Sequence, residues 1–185
     1  MKKRFLPVLI LVFVLLAALT ACGKSAAPAE PEPEAESAFA YMANPWTETD
    51  SPDAAAEGAG VGYFSVPEEG FVTSGGAVSW EVFPYMKGLA QANGHVGQME
   101  LIVRKGLRQD SEDVSGDYSE YKYEWTQTID GAEVRCAGNE EGKTVRALWL
   151  SDNFSYSLLV RSLDDDSVKV GLDAEATAAL VGAIE

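Results

Sequence analysis

Few residues in this chain are equipped for catalysis. His95 is its only histidine, so any Ser/His/Asp or Cys/His machinery must use it as base. It stands in Ala92-Asn93-Gly94-His95-Val96-Gly97, a glycine-flanked stretch that reads as a solvated turn. Zinc needs more His or Cys ligands than the chain offers, and no cofactor fingerprint is present. Gly58-Ala59-Gly60-Val61-Gly62 and Gly75-Gly76 lack the strand-loop-helix setting of a phosphate cradle and read as turns. Carboxylates abound. Asp110-Ser111-Glu112-Asp113 and Asp164-Asp165-Asp166 offer oxygens of the kind calcium takes, but neither follows the alternating acidic loop with a distal glutamate, and both read as solvated charges. A carboxylate pair of the glycosidase kind depends on spatial separation, which spacing along the chain does not give.

The aromatic residues are more suggestive. Tyr121, Tyr123 and Trp125 alternate with Glu120, Lys122 and Glu124, so on a strand the three rings share one face. They read either as a platform for a sugar or extended peptide, or as the packed face of a sheet, the commoner use of such rings. Cys136 lies in Ala132-Glu133-Val134-Arg135-Cys136-Ala137, where alternation sets it beside Val134 on an apolar face, as a small core residue rather than a nucleophile.

Elements that position these residues follow from periodicity. Ser51 as N-cap with Pro52 at the first helical position predicts a short helix ending near Gly58. Period-two runs predict strands over Gly62 to Val66, Ser79 to Pro84, Gln98 to Lys105, Glu120 to Ile129, Ala132 to Ala137, Thr144 to Ser151 and Phe154 to Ser162. Asp130-Gly131, Asn139 to Gly142 and Ser151-Asp152-Asn153 supply the turns of an antiparallel meander. Asp173 caps a closing helix from Ala174 to about Ile184, with Ala176, Leu180 and Ile184 as its apolar stripe. The expected class is α+β: a single antiparallel sheet, a meander of about six or seven strands, with a short N-terminal helix and a C-terminal helix packed on it.

Upstream the chain has another character. Lys2-Lys3-Arg4 precedes an apolar run from Phe5 to Leu19, shorter than the roughly 20 residues a membrane-spanning helix needs, and so reads as a signal peptide. The run ends in Leu19-Thr20-Ala21-Cys22, which resembles the lipobox of bacterial lipoproteins. The resemblance implies recognition of Leu19, Thr20 and Ala21 by the signal peptidase, cleavage before Cys22, and a diacylglyceryl group on the Cys22 sulfur; two acyl chains suffice for stable anchoring. Cys136 would then have no intramolecular disulfide partner. From Gly23 to about Ala40, alternating Ala, Pro and Glu predict an extended, self-repelling spacer. The expected division is therefore 1–21 signal peptide, 22–41 lipidated cysteine and linker, and 42–185 folded domain.

Charge narrows the partners. The chain carries a formal −15, and loss of Lys2, Lys3 and Arg4 with the leader moves it to −18. Such a surface repels phosphate backbones and anionic headgroups, which argues against nucleic-acid binding and against adsorption to a membrane surface. Cations or basic partners fit it better, although charge also serves simply to keep an exported domain soluble.

Asn44-Pro45-Trp46-Thr47-Glu48, the run Met99 to Gly106, the segment Asp113-Val114-Ser115-Gly116-Asp117-Tyr118, and the late strands with Trp149 and Tyr156 together resemble a family of uncharacterised lipid-anchored bacterial proteins with a domain of unknown function. The likeness covers most of residues 42–185 and implies a folded domain but no chemistry. The resulting expectation is a non-enzymatic binding domain on the outer side of a bacterial membrane, held there by lipid on Cys22, with a cell-envelope protein or glycan as partner. The competing readings are an envelope hydrolase using carboxylates and a half-barrel carrying a lipid or other hydrophobe.

Overall fold

Tight turns set the path of the chain. Asp130 and Gly131 both take positive φ (48° and 84°), the two-residue hairpin geometry whose twist matches that of the strands it joins. Asp152 (φ 52°), Gly88 (φ 80°) and Gly97 (φ 59°) serve other hairpins in the same way. In the computed structural model, which describes residues 44–163 and 170–185, these turns link β1 (Thr47–Thr49), β2 (Val72–Thr73), β3 (Gly76–Met86), β4 (Leu89–Val96), β5 (Met99–Leu107), β6 (Tyr123–Ile129), β7 (Ala132–Gly138), β8 (Arg146–Ser151) and β9 (Phe154–Ser162) into one sheet. Its order is β1-β3-β4-β5-β9-β8-β7-β6, with β2 attached to β3. All pairings are antiparallel. The sheet does not close into a barrel, and residues 43–185 form one unit.

Both helices start as their caps dictate. In α1 (Pro52–Ala59) the Ser51 side chain accepts the Ala54 N–H, and Gly60 closes the helix in the left-handed region. In α2 (Ala174–Gly182) Asp173 accepts the Ala176 N–H. Their apolar stripes join Val61 and Phe64 over one face of the sheet, where Leu101, Val103, Val134, Leu158 and Val160 are fully buried. Cys136 lies in this core, 2% exposed, and burial pushes its thiol pKa up. None of the described helices is long and apolar enough to cross a membrane.

The α+β class with a helix near each end is the fold adopted, but several strands differ from expectation. Gly62 to Val66 is not a strand: Gly62 takes φ 72°, and Ser65 pairs only with Glu185 through two backbone bonds of 2.9 and 3.3 Å. The strand expected from Glu120 begins at Tyr123. β1, β2 and β4 are additions. β4 escaped because Asn93, Gly94 and Gly97 resemble turn residues, yet Gly94 serves packing: a Cβ there would lie 2.2 Å from the Ser79 carbonyl oxygen and 2.6 Å from the Trp80 ring. His95 is thus a strand residue paired with Ser79 and Glu100 rather than a turn residue. The leader, Cys22, the linker and Asp164-Asp165-Asp166 lie outside the described residues.

Candidate functional site

The sheet order forces one long crossing. β5 and β6 are consecutive in sequence, yet β9, β8 and β7 lie between them, so residues 108–122 must pass over a face of the sheet. They pass over the face opposite the helices and form a strap. Alternation puts Arg104, Ser157, Leu148 and Arg135 in one cross-strand row of this face, with Ile102, Leu159, Arg146 and Ala137 in the next.

Arg104 holds the strap by its backbone. Its Nη1 donates to the carbonyl oxygens of Ser115 (2.6 Å) and Val114 (3.2 Å), while its Nε donates to Gln91 Oε1 at 2.6 Å. The Trp46 ring lies 5.6 Å from the guanidinium. Gly116 adopts φ 64°, which favours glycine, and a Cβ there would fall 2.4 Å from Arg104 Nη1 and displace the guanidinium. The two short motifs singled out in the sequence, at Asn44 to Trp46 and Asp113 to Tyr118, therefore meet around one arginine. Burial lowers its pKa, but the group stays charged at any ordinary pH.

The far half of the strap is tied by Asp117. Its Oδ2 accepts from Tyr121 Oη at 2.6 Å and from Arg146 Nη1 at 3.5 Å, and its Oδ1 accepts from Ser119 Oγ at 2.7 Å. Arg146 also donates to the Asp117 carbonyl at 3.1 Å and lies 5.0 Å from the Tyr121 ring. Burial raises the Asp117 pKa, but the bonds from Tyr121 and Ser119 and the Arg146 charge outweigh it and leave the carboxyl below its ordinary value. Burial, then the bond to that carboxylate, pushes the Tyr121 pKa well up.

These contacts decide the aromatic triplet. Tyr121 lies ahead of β6 and packs with Ile102, Val145 and Leu159 on the strapped face. Trp125 packs against the helix-side core, and Tyr123 shares its phase on β6. The three rings do not line one face, because the chain turns from strap to strand between Tyr121 and Tyr123. The His95 Nδ1 lies 3.4 Å from Glu81 Oε1, and Ser79 is its cross-strand neighbour on β3. Among the described residues no three His, Cys, Asp or Glu side chains converge as a metal site.

Besides an open depression of about 700 Å³ at Arg108, Gln109, Glu112 and Asn153, three more lie on the strapped side. One of about 490 Å³ lies between Leu89, Leu107, Val114 and Tyr118, and the Tyr118 side chain is 96% exposed. A second of about 370 Å³ adjoins Tyr121 and Arg161. The third, about 270 Å³, is lined by Glu124, Thr126, Arg135, Arg146 and Leu148. It offers guanidinium donors beside a carboxylate and a hydroxyl, a mixture suited to hydrogen-bonding a polar ligand.

Residues that sequence reasoning passed over hold this arrangement together. Arg104 and Arg146 carried no local signal, since their partners lie 10 to 29 positions away; Asp117 bonds Ser119 and Tyr121 close by as well as Arg146. Lys105 did carry one: alternation from Leu101 and Val103 points it inward. It is 5% exposed, its Nζ donates to the Tyr63 carbonyl oxygen, and the Phe154 and Tyr156 rings lie 4.5 and 5.1 Å away. Burial lowers its pKa, against the pull of Glu185 and Asp152.

No family model, curated protein or solved structure matches this chain.

Proposed function

We propose that this chain is a non-enzymatic binding domain displayed outside a bacterial membrane by lipid on Cys22, and that it engages a polar component of the cell envelope through the strapped face of its sheet. The observation that carries the reading is the asymmetry of the sheet: the helix side is filled mainly by apolar side chains, while the other side keeps open depressions, one lined by Glu124, Thr126, Arg135 and Arg146, beside a strap tied down at Arg104 and Asp117. A hydrolase of the carboxylate type needs an acid that keeps its proton near neutrality. Among the described residues, Glu69, Asp117 and Asp173 give up their protons more readily than an ordinary carboxyl, the opposite of what such an acid requires. Carriage of a hydrophobe needs room under the sheet; Phe64, Leu101, Leu158 and Leu180 are fully buried there, which supports binding over carriage.

Two measurements test the proposal. Mass spectrometry of the native protein is expected to find a diacylated Cys22 as the first residue, and an intact leader or free thiol there overturns the anchoring. The unit from Ala43 onward is expected to co-sediment with isolated envelope, and Tyr118→Ala/Arg135→Glu to reduce that binding at least about tenfold, a loss of roughly 1.4 kcal/mol. Unchanged binding by the folded double variant removes the strapped face from the reading.

A further inference from the structure

The two ends of the sheet are unequal. At one end β1 has only three residues and β2 only two, short edges that offer little to a neighbour. At the other end β6 runs for seven residues, Tyr123–Ile129, in register with β7 throughout and without a bulge. Among the described residues no backbone hydrogen bond reaches β6 from its outer side. Helix α2 approaches its end, where Gly182 lies against Asp130 and Ile129. The strand contains no proline and no bulge, and Glu124 is its one charged residue.

The hairpin geometry tells which groups are unpaired. A two-residue turn at Asp130-Gly131 makes Ile129 and Ala132 a hydrogen-bonded pair, and the antiparallel ladder alternates from there. Ile129, Gln127, Trp125 and Tyr123 therefore bond inward to β7, while the amides and carbonyls of Glu124, Thr126 and Thr128 point outward.

We propose that β6 is a self-pairing edge, and that two copies of this chain join their sheets antiparallel through it with Thr126 opposite Thr126 on the two-fold axis. This register is picked out by the residues. Glu124 then faces Thr128, so each outward amide and carbonyl of Glu124, Thr126 and Thr128 gains a partner. Tyr123 faces Ile129, an aromatic and β-branched pair of the kind that favours sheet pairing. Trp125 faces Gln127, whose Nε2 is buried without a hydrogen-bond partner in the single chain. Lys122 of each copy comes opposite the turn carrying Asp130 of the other, so charges are complementary at both ends of the paired strands. Sliding by four residues to centre the axis on Glu124 sets two carboxylates face to face, and centring it on Thr128 shortens the overlap. Centring on Trp125 or Gln127 pairs only two of the three outward residues within the strand, leaving Thr128 opposite Lys122 or Glu124 opposite Asp130, and Lys122 and Asp130 are both outside β6. In an acidic chain that repels its own copies, a matched register at one uncharged two-fold position is a specific allowance for self-contact.

Pairing needs neither the lipid nor the strapped face, so its test is separate from theirs. Analytical ultracentrifugation of the unit from Ala43 onward is expected to show a monomer–dimer equilibrium. Amide exchange at Glu124, Thr126 and Thr128 is expected to slow as concentration rises, with no change at β1. Thr126→Pro removes an outward amide while leaving the β7 ladder intact, and Thr126→Lys sets two cations on the axis; each is expected to raise Kd about tenfold or more. Lys122→Glu is expected to raise it a few-fold, at an exposed site where folding is unaffected. A chain that stays monomeric at millimolar concentration overturns the proposal. So does a dimer whose outward β6 amides exchange as freely as in the monomer, and so does insensitivity of Kd to Thr126→Lys.

Discussion

Leu158 and Leu159 are neighbours on the central strand β9, and they report on two kinds of packing. Leu158 is fully buried in the extensive helix-side core; Leu159, 2% exposed, belongs to a small cluster with Ile102 and Val145 on the other face. One face is held by many dispersion contacts that need no particular partner. The opposite face is held by a few directed bonds, from Arg104, Arg146 and Ser155 to the backbone of a strap. The contrast teaches that burial alone does not separate scaffold from site here. The kind of interaction does, because apolar packing tolerates approximation and a strap fastened by charge-assisted bonds does not.

The comparison can be broken most forcefully at the core. Leu158→Ala is expected to cost about 2–5 kcal/mol in denaturant unfolding, with exchange protection falling throughout the sheet. Leu159→Ala is expected to fall at the low end of that range, with faster exchange concentrated in residues 108–122; equal effects on the two faces would remove the distinction drawn above.

Arg104→Ala is the next largest expected effect, about 1.5–3 kcal/mol for hydrogen bonds made by a charged group. Limited proteolysis should then cut the strap while the hairpins persist. Arg104→Lys is not expected to restore protection, since an ammonium cannot reproduce the guanidinium fork that spans Gln91 and Ser115.

The smallest expected effect separates charge from shape. Asp117→Asn keeps the size of the side chain but loses the carboxylate that faces Tyr121 and Arg146, at a cost of about 1 kcal/mol near neutral pH. The sign of its pH dependence follows from the lowered pKa in the folded chain. Stability due to ionised Asp117 is fully present above the unfolded value of about 4 and is lost as pH falls through the folded one. The gap between the native chain and Asp117→Asn should therefore close under acid, and a gap independent of pH would show that the carboxylate does not tie the strap.

Part of this was legible from the residues alone. The caps at Ser51 and Asp173 and the Asp130-Gly131 turn act over a few positions, so local sequence carries them. Strand β9 was readable for a related reason: the alternation of Phe154, Tyr156 and Leu158 with Ser155 and Ser157 is itself a nearest-neighbour pattern. Strand β4 was not, because its interior places are filled by Ala90, Ala92 and Gly94, the last leaving room for the Trp80 ring, and such small residues look like a loop. The strapped face was the least legible. Nothing near Arg104 announces that Ser115 and Trp46 will meet there.

The sequence by itself determined where helices begin, where hairpins turn, and that a sheet would be made, because capping and turn geometry depend on nearest neighbours along the chain. Only the tertiary structure decided that β6 stands at an edge, that residues 108–122 must cross a face, and that Tyr121 parts from Tyr123 and Trp125. Those outcomes depend on strand order, which is settled by the joint burial of residues far apart in sequence.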